Sequence, residues 1–177
     1  TAASVQIWFR AGSSLEKNSN RGIAHFLEHM FFKGTKKRPG AQVAHDVETF
    51  GGEINAFTSF DYTCYYINCP NDQLIKSTEI LLDMVCNPLF SKEDIPSERE
   101  VVIEEYNRSI DSPSQFAFSE IQKDFFTGNH KHQILGNKKT IQSFNKSQLL
   151  EFRKKFYNKQ NSLLVVAGDV TNRTKII

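Results

Sequence analysis

The chain has 177 residues, of which 39% are hydrophobic and 24% charged, and its formal net charge is +2. This length and composition predict one soluble globular domain, which can bury roughly 70% of the surface that its unfolded chain exposes and so needs neither a metal nor a disulfide to hold a core. The balanced charge and the lack of basic runs with interleaved aromatic residues exclude a nucleic-acid-binding module, and no apolar run reaches the ~20 residues of a membrane span.

Residues 1–177 read as one domain of a longer, multidomain protein. The chain begins at Thr1 rather than at Met and stops soon after an apolar run that ends at Gly168. Its first residues do not have the pattern of a signal peptide, and we expect that a targeting segment could have been removed. We expect a soluble protein of the bacterial cytoplasm or periplasm rather than of the mitochondrial matrix.

Neither the cysteines nor the one compact basic cluster indicates a functional site. Cys64, Cys69 and Cys86 form no CxxC pair, and their odd number and irregular spacing argue against a disulfide framework. We expect all three to be small buried apolar residues. The basic cluster at residues 36–38 lies between a glycine and a proline, which predicts a solvated loop.

The chain opens with a predicted strand and a predicted helix. Residues 4–9 alternate apolar and polar side chains, as a half-buried strand does. A polar loop at residues 13–20 precedes an apolar helical pattern at residues 22–33, and Gly34 suits the end of that helix.

A further helix and a hairpin follow. Residues 41–50 have apolar side chains at helical spacing and end at two glycines. The β-rich runs at residues 53–59 and 62–69 predict a hairpin around Phe60 and Asp61. Residues 72–86 place five side chains along one helix face, which predicts an amphipathic helix.

The last third is mostly helical. Ser112 and Gln115 match a capping box, with Pro113 at the first helical position. The helices predicted here cover residues 96–110, 113–127 and 145–157. Residues 128–136 read as irregular, and the continuous apolar run at residues 162–168 predicts a strand in the centre of a sheet. Long helices mixed with a hairpin indicate the α+β class.

The chemical signal is His25-Phe26-Leu27-Glu28-His29. Residues four apart share a helix face, so both imidazoles can reach one metal ion. The Glu28 carboxylate lies next to them and can take a proton from water that attacks a carbonyl. This H-x-x-E-H order is the inverse of the commoner H-E-x-x-H zinc motif. The alternative to a metal site is an ordinary helix that carries two histidines and, by chance, a glutamate.

A third metal ligand is expected on the helix at residues 96–110. Glu98 and Glu105 lie two turns apart, with Val101 and Val102 between them on the same face, and a metal site would offset the cost of carboxylates on an apolar stripe. Glu104 falls instead on a polar face, where it can pair with a later arginine, Arg108.

We therefore expect Glu105 to be the third ligand of Zn²⁺ and Glu98 to orient a ligand histidine. The alternative for both carboxylates is a solvated acidic helix face.

Four separated motifs resemble those of the inverted-zincin peptidases, the family of pitrilysin, insulin-degrading enzyme and mitochondrial processing peptidase. They are GIAHFLEHM with FKGT at residues 22–35, GGEINAFT at 51–58, EREVV leading to Glu105 at 98–105, and NSLLVVAGD at 161–169. Glu105 also follows His29 by 76 residues, a spacing similar to that of the family. The resemblance covers nearly the whole chain.

The resemblance implies a zinc-dependent endopeptidase with a mixed, largely antiparallel sheet flanked by helices, like one half-domain of a processing peptidase. His25, His29 and Glu105 match the zinc ligands, and Glu28 matches the catalytic base. Asn55, Ala56 and Phe57 match the strand on which the family docks its peptide substrate, since an extended peptide can add to a sheet edge. A turn or bulge role for Asn55 is the alternative.

The resemblance also implies partners. Family members enclose a chamber with further domains of the same fold, on the same chain or on a partner subunit, and an Arg/Tyr pair that grips the substrate carbonyl comes from a later domain. Relatives carry a His-Pro pair where this chain has His130 and Lys131. His132 follows in the same loop, and neither histidine there is expected to bind metal.

Two other functions stay open. One is a non-catalytic subunit of the same architecture, which holds peptide or supports a partner. The other is a lyase that resembles S-ribosylhomocysteine lyase and shares the H-x-x-E-H motif, but that interpretation has no use for the motif at residues 51–58.

Overall fold

The computed structural model describes residues 1–170. In this range the strands are β1 (Ala2–Phe9), β2 (Glu53–Thr58), β3 (Thr63–Pro70) and β4 (Ser162–Ala167). The helices are α1 (Ile23–Phe31), α2 (Gln42–Thr49), α3 (Leu74–Cys86), α4 (Asp94–Asp111), α5 (Pro113–Phe125), α6 (Lys138–Ser143) and α7 (Lys146–Phe156). The predicted α+β class is confirmed.

The strands form one sheet in the order β2-β3-β1-β4, and every pairing within the described residues is antiparallel. Val5 pairs with Ile67 and Ile7 with Tyr65, and these four side chains are buried on one face. The alternation that predicts β1 therefore directs one row of side chains into a core under the helices. The hairpin of β2 and β3 forms as predicted.

Helix α1 lies inside this core. Eight of its nine residues are buried, and it contacts α4, β2 and α7. Six of these nine residues are apolar, which favours such a position, because they would otherwise face water. His25 and Glu28 on α1 are consequently held almost out of water.

The predicted central position of the last strand is wrong for the described residues. β4 pairs only with β1 and lies at the edge of the sheet, where Leu163 is 61% exposed and Leu164 39% exposed. A continuous apolar run is typical of a strand that is covered on both faces, but it determines neither the order of the strands nor what covers those faces.

Local structure after residue 110 differs from prediction in three ways. Helix α5 begins at Pro113 as expected, but Ser112 makes no capping hydrogen bond to the backbone, and its hydroxyl lies 3.3 Å from the Ser114 hydroxyl. Within residues 128–136, a short 3₁₀ turn spans Gly128–Lys131. Helix α6 was not predicted, although Asn137 caps it. The Asn145 cap of α7 forms as predicted, because its side chain accepts from the Gln148 amide.

Two predictions about single side chains need correction. Cys64 and Cys69 are buried, but Cys86 is exposed at the end of α3, and all three thiols are free. Arg38 is not solvated, because its guanidinium donates to Asp46 at 3.1 Å and to Asp83 at 2.7 Å in a nearly buried position. Between residues 1 and 170 we find no helix long and apolar enough to cross a membrane.

Candidate metal centre

The two motif histidines meet on one face of α1. The ring centroids of His25 and His29 are 4.6 Å apart, and both rings turn toward α4. Their four-residue spacing aligns the side chains one above the other, as the helical period requires. His25 is only 9% exposed, so its imidazole is almost out of water.

Helix α4 brings Glu105 to the histidines. Glu105 Oε2 lies 3.7 Å from His25 Nε2 and 3.5 Å from His29 Nε2. One ligand atom from each of the three residues lies within 4.8 Å of the others. Tetrahedral zinc with bonds of about 2.0–2.1 Å holds its ligand atoms roughly 3.3 Å apart, so the three residues fit this ion with little adjustment.

Glu98 contacts His29 from the other side of the ring. Its Oε1 lies 2.8 Å from His29 Nδ1, and its second oxygen contacts the Lys33 ammonium. A carboxylate on Nδ1 keeps the proton there and leaves Nε2 free for a metal. His25 Nδ1 is buried without a hydrogen-bond partner among the described residues, so the two histidines are supported unequally.

Two details of the α4 prediction are wrong. Val102 is fully buried beneath the carboxylates, but Val101 is 44% exposed and does not share that face. In the described part of the chain, Glu104 and Arg108 form no ion pair. The hydrogen bond with His29 is the largest cause that lowers the pKa of Glu105, and Arg108 acts electrostatically on Glu105 to lower it further.

Glu28 points from α1 toward the end of β2. Its side chain is 9% exposed, and the Thr58 hydroxyl donates to its Oε2. Burial raises the pKa of Glu28, and the hydroxyl partly opposes that rise. A raised pKa makes the carboxylate a stronger base, which suits proton abstraction near neutral pH. Sequence reasoning assigned no role to Thr58.

The two histidines differ in protonation. Burial, with the charge of His29, lowers the pKa of His25 to about 4. Burial also acts to lower the pKa of His29, but the contacts with Glu105 and Glu98 outweigh it and raise that pKa to about 9. Near neutral pH the metal-free site therefore holds one neutral and one charged imidazole.

We predict that zinc binding at pH 7.5 releases about one proton, because His29 must lose its charge to become a ligand. Calorimetry in two buffers with different heats of ionisation measures the number released. Replacing Glu98 by Gln should reduce this number, since Glu98 raises the pKa of His29. An apparent binding heat that is the same in both buffers contradicts the prediction.

The predicted substrate strand borders this site. β2 pairs only with β3 within residues 1–170, so its other edge is open. Asn55 and Phe57 are exposed, whereas Ala56 packs against the core. Asn55 lies in a regular pairing with Tyr66, not in a bulge, and its side-chain oxygen accepts from the Ala56 amide at 2.8 Å.

The other histidines lie outside the site. His45 is exposed on α2. His130 Nε2 lies 3.3 Å from an Asp61 carboxylate oxygen, and its ring stacks near Phe60. Within residues 1–170, His130 and His132 belong to no group of three potential ligands whose atoms lie within 4.8 Å of one another.

Comparison with known families decides the classification. Residues 1–139 match the model of the insulinase family, peptidase family M16. The chain belongs to peptidase family M16. An uncharacterised zinc protease of Rickettsia bellii is 35% identical over 170 residues, which cover 96% of this chain and 41% of that protein. The β subunit of the mitochondrial-processing peptidase of Caenorhabditis elegans is 35% identical over 173 residues, or 97% of this chain and 38% of that subunit.

A solved structure agrees with this family M16 assignment. The crystal structure of a protease from Helicobacter pylori superposes with a TM-score of 0.92 at 29% identity, and the match covers 98% of this chain and 43% of that one. The expected half-domain of this family is confirmed as the fold. The chain spans about two fifths of the length of these family M16 relatives.

Proposed function

We propose that this chain is the catalytic part of a zinc-dependent endopeptidase that hydrolyses peptides or unfolded protein segments. One observation carries the proposal: the ligand atoms of His25, His29 and Glu105 lie within 4.8 Å of one another. Glu28 is buried on α1, the helix that also carries the two histidines. Three nitrogen and oxygen ligands from protein with a fourth position left for substrate or water are the pattern of catalytic zinc.

Each residue has a separate task in the proposed mechanism. Zinc, when bound by His25, His29 and Glu105, supplies a Lewis acid that polarises the scissile carbonyl and acidifies water. Glu28 takes the proton of the attacking water and passes it to the leaving amine. The Thr58 hydroxyl holds Glu28 in place, and Glu98 fixes the His29 ring.

The open edge of β2 is the proposed binding site for the peptide backbone. An extended peptide paired with Asn55, Ala56 and Phe57 gains main-chain hydrogen bonds, which demand little of its sequence. Because Thr58, the last residue of β2, contacts Glu28, a peptide on this edge would pass close to the proposed base. The Asn55 side chain now occupies the Ala56 amide, so a peptide acceptor must displace it.

Further domains of the same fold are the proposed partners. The chain spans 41% of the Rickettsia bellii protease and 38% of a relative that is itself named a subunit. We propose that the rest of the enzyme lies on the same chain or on a partner subunit and closes over the β2 edge.

The main alternative is a non-catalytic subunit that holds peptide. Nothing in the site favours it, because the ligand atoms of the three predicted ligands lie within 4.8 Å of one another and the predicted base is buried on the same helix as the two histidines. A lyase with the same motif is disfavoured by the family match and by the open β2 edge.

The test is metal analysis together with peptide cleavage by the complete protein. We expect about one zinc per chain after dialysis, and its loss in His25→Ala and His29→Ala, because two protein ligands rarely hold zinc. His45→Ala, an exposed histidine on α2, is the matched control and should keep the metal.

Stoichiometric zinc in both site variants would sink the ligand assignment. Zinc without peptide cleavage by the wild-type protein would favour the non-catalytic alternative. Since the core does not depend on the site, chelation should leave the protein folded by circular dichroism.

A further inference from the structure

A buried carboxylate lies at the beginning of α1. Glu16 is 2% exposed and belongs to the loop that precedes the helix. Its Oε2 accepts from the Gly22 amide at 2.8 Å and its Oε1 from the Ala24 amide at 2.9 Å. Both bonds are made to the main chain immediately before His25.

These amides need such a partner. The first amides of any helix lack acceptors within the helix, and α1 begins in the core, away from water. Gly22 precedes the helix with a φ of 90° and has no side chain that could cap it. The carboxylate of Glu16 meets this need, and its negative charge complements the positive end of the helix.

Glu16 is itself held in place by the segment at residues 128–136. The Asn129 side-chain amide donates to the Glu16 carbonyl at 2.9 Å and to the Ser14 carbonyl at 2.5 Å. Asn129 Oδ1 accepts from Arg21 Nη2 at 2.6 Å. These bonds join the segment to both sides of the Glu16 loop.

The same segment packs tightly on the start of α1. A Cβ at Gly22 would lie 2.4 Å from the Leu135 carbonyl oxygen, and a Cβ at Gly136 would lie 2.3 Å from the Arg21 carbonyl oxygen. Both glycines have positive φ angles. The backbone before α1 and the backbone at the end of the segment therefore approach too closely for a side chain at either glycine. A shift of the segment would consequently shift the start of α1 as well.

We propose that Glu16 is a positioning residue, which orients the metal-binding helix through the Gly22 and Ala24 amides, with Asn129 holding Glu16 in turn. The inference rests on the proposed peptidase function. α1 carries two ligands and the base on only nine residues, so a small rotation at its first turn moves His25 and Glu28 together. A displacement of about 1 Å at a reacting group costs up to ~10² in rate.

The pKa of the Glu16 carboxyl group determines the pH at which the variants are compared. Burial raises the pKa of Glu16 to about 7, although the two amides and Arg21 oppose the rise. Measurements at pH 8.5 therefore keep the carboxylate ionised, so that both oxygens accept hydrogen bonds.

The experiment compares Glu16→Gln with wild type in the complete protein. A glutamine keeps the shape but replaces one acceptor by an amide donor that faces a main-chain N–H. We expect zinc affinity, measured by competition with a chromophoric chelator, to fall about tenfold. With zinc saturating, kcat should fall about tenfold while KM changes less than twofold. Glu79→Gln, the same change at an exposed position of α3, is the control and should match wild type.

Asn129→Ala provides a second, independent variant. It leaves the Glu16 carboxylate intact and should shift zinc affinity and kcat in the same direction by a smaller factor. If Glu16→Gln does not fold, a folded Asn129→Ala protein with wild-type zinc affinity and kcat overturns the proposal.

The outcomes separate the two proposals. A Glu16→Gln protein that melts at a lower temperature but keeps wild-type zinc affinity and kcat would show that Glu16 serves stability alone, and the positioning role fails. If wild type binds zinc but cleaves no peptide, the proposed function fails. The zinc affinities of wild type and Glu16→Gln still test whether Glu16 positions the ligands. A wild-type protein that binds no zinc overturns both.

Discussion

Replacing Glu28 by Gln should leave zinc bound and reduce peptide hydrolysis by the complete enzyme at least ~10²-fold, the usual lower scale for loss of a general base. Glutamine preserves the shape of the side chain and can still accept a hydrogen bond from Thr58, whose hydroxyl holds Glu28 Oε2. It cannot accept a proton near neutral pH. The loss should therefore appear in kcat, with zinc content and folding unchanged.

The control for this variant is Glu48→Gln, the same substitution at an exposed position of α2. Zinc is measured by metal analysis and cleavage with an unstructured peptide. Near-normal turnover by Glu28→Gln would assign the base to another residue. Loss of zinc would instead mean that Glu28 supports the ligands.

Residues 1–177 alone should hold zinc but hydrolyse peptides at least ~10²-fold more slowly than the complete protein. Zinc and a base are only part of catalysis, because the substrate carbonyl must also be positioned and its developing negative charge stabilised. Within residues 1–170, no arginine or tyrosine hydrogen-bonds to His25, Glu28 or His29. We expect those donors from a later domain, and loss of one such donor costs on the order of 10²–10³ in rate.

The comparison uses both proteins loaded with zinc, at equal concentration, on the same casein digest. Circular dichroism and metal content of the shorter protein serve as controls for folding and for the site. A rate within about tenfold of the complete protein, which corresponds to ~1.4 kcal/mol of barrier, would make the other domains dispensable and refute this expectation.

The helices and strands that are predicted best from the sequence are those with a clear hydrophobic periodicity. The alternation in β1 and the apolar pattern of α1 are both confirmed, since a buried face leaves a regular mark on the chain. Helix α6 has only six residues, too few for any period to be visible. The edge position of β4 was missed because strand order depends on contacts between distant residues, which an apolar run does not encode.

The candidate site follows the same rule. His25 and His29 could be named in advance because their helical spacing puts them on one face, and Glu105 because helical spacing and the family motif both indicate it. The structure brings the three together. Glu16 and Thr58 could not, since one acts on α1 from a loop and the other from a strand. An acidic residue shortly before a helix is a weak signal for such a cap. Nothing in the spacing of the chain relates Asn129 to Glu16.

The open edge of β2 has a consequence for handling this protein. Most proteins protect an edge strand with charges, prolines or a covering loop, so that copies of the molecule do not pair through it. β2 has a single charged residue, Glu53, and exposes Asn55 and Phe57. If β2 docks extended peptides as proposed, such protection would also block the substrate. We therefore expect copies of the protein to associate through this edge in concentrated solution, and this association should weaken when a bound peptide covers the edge.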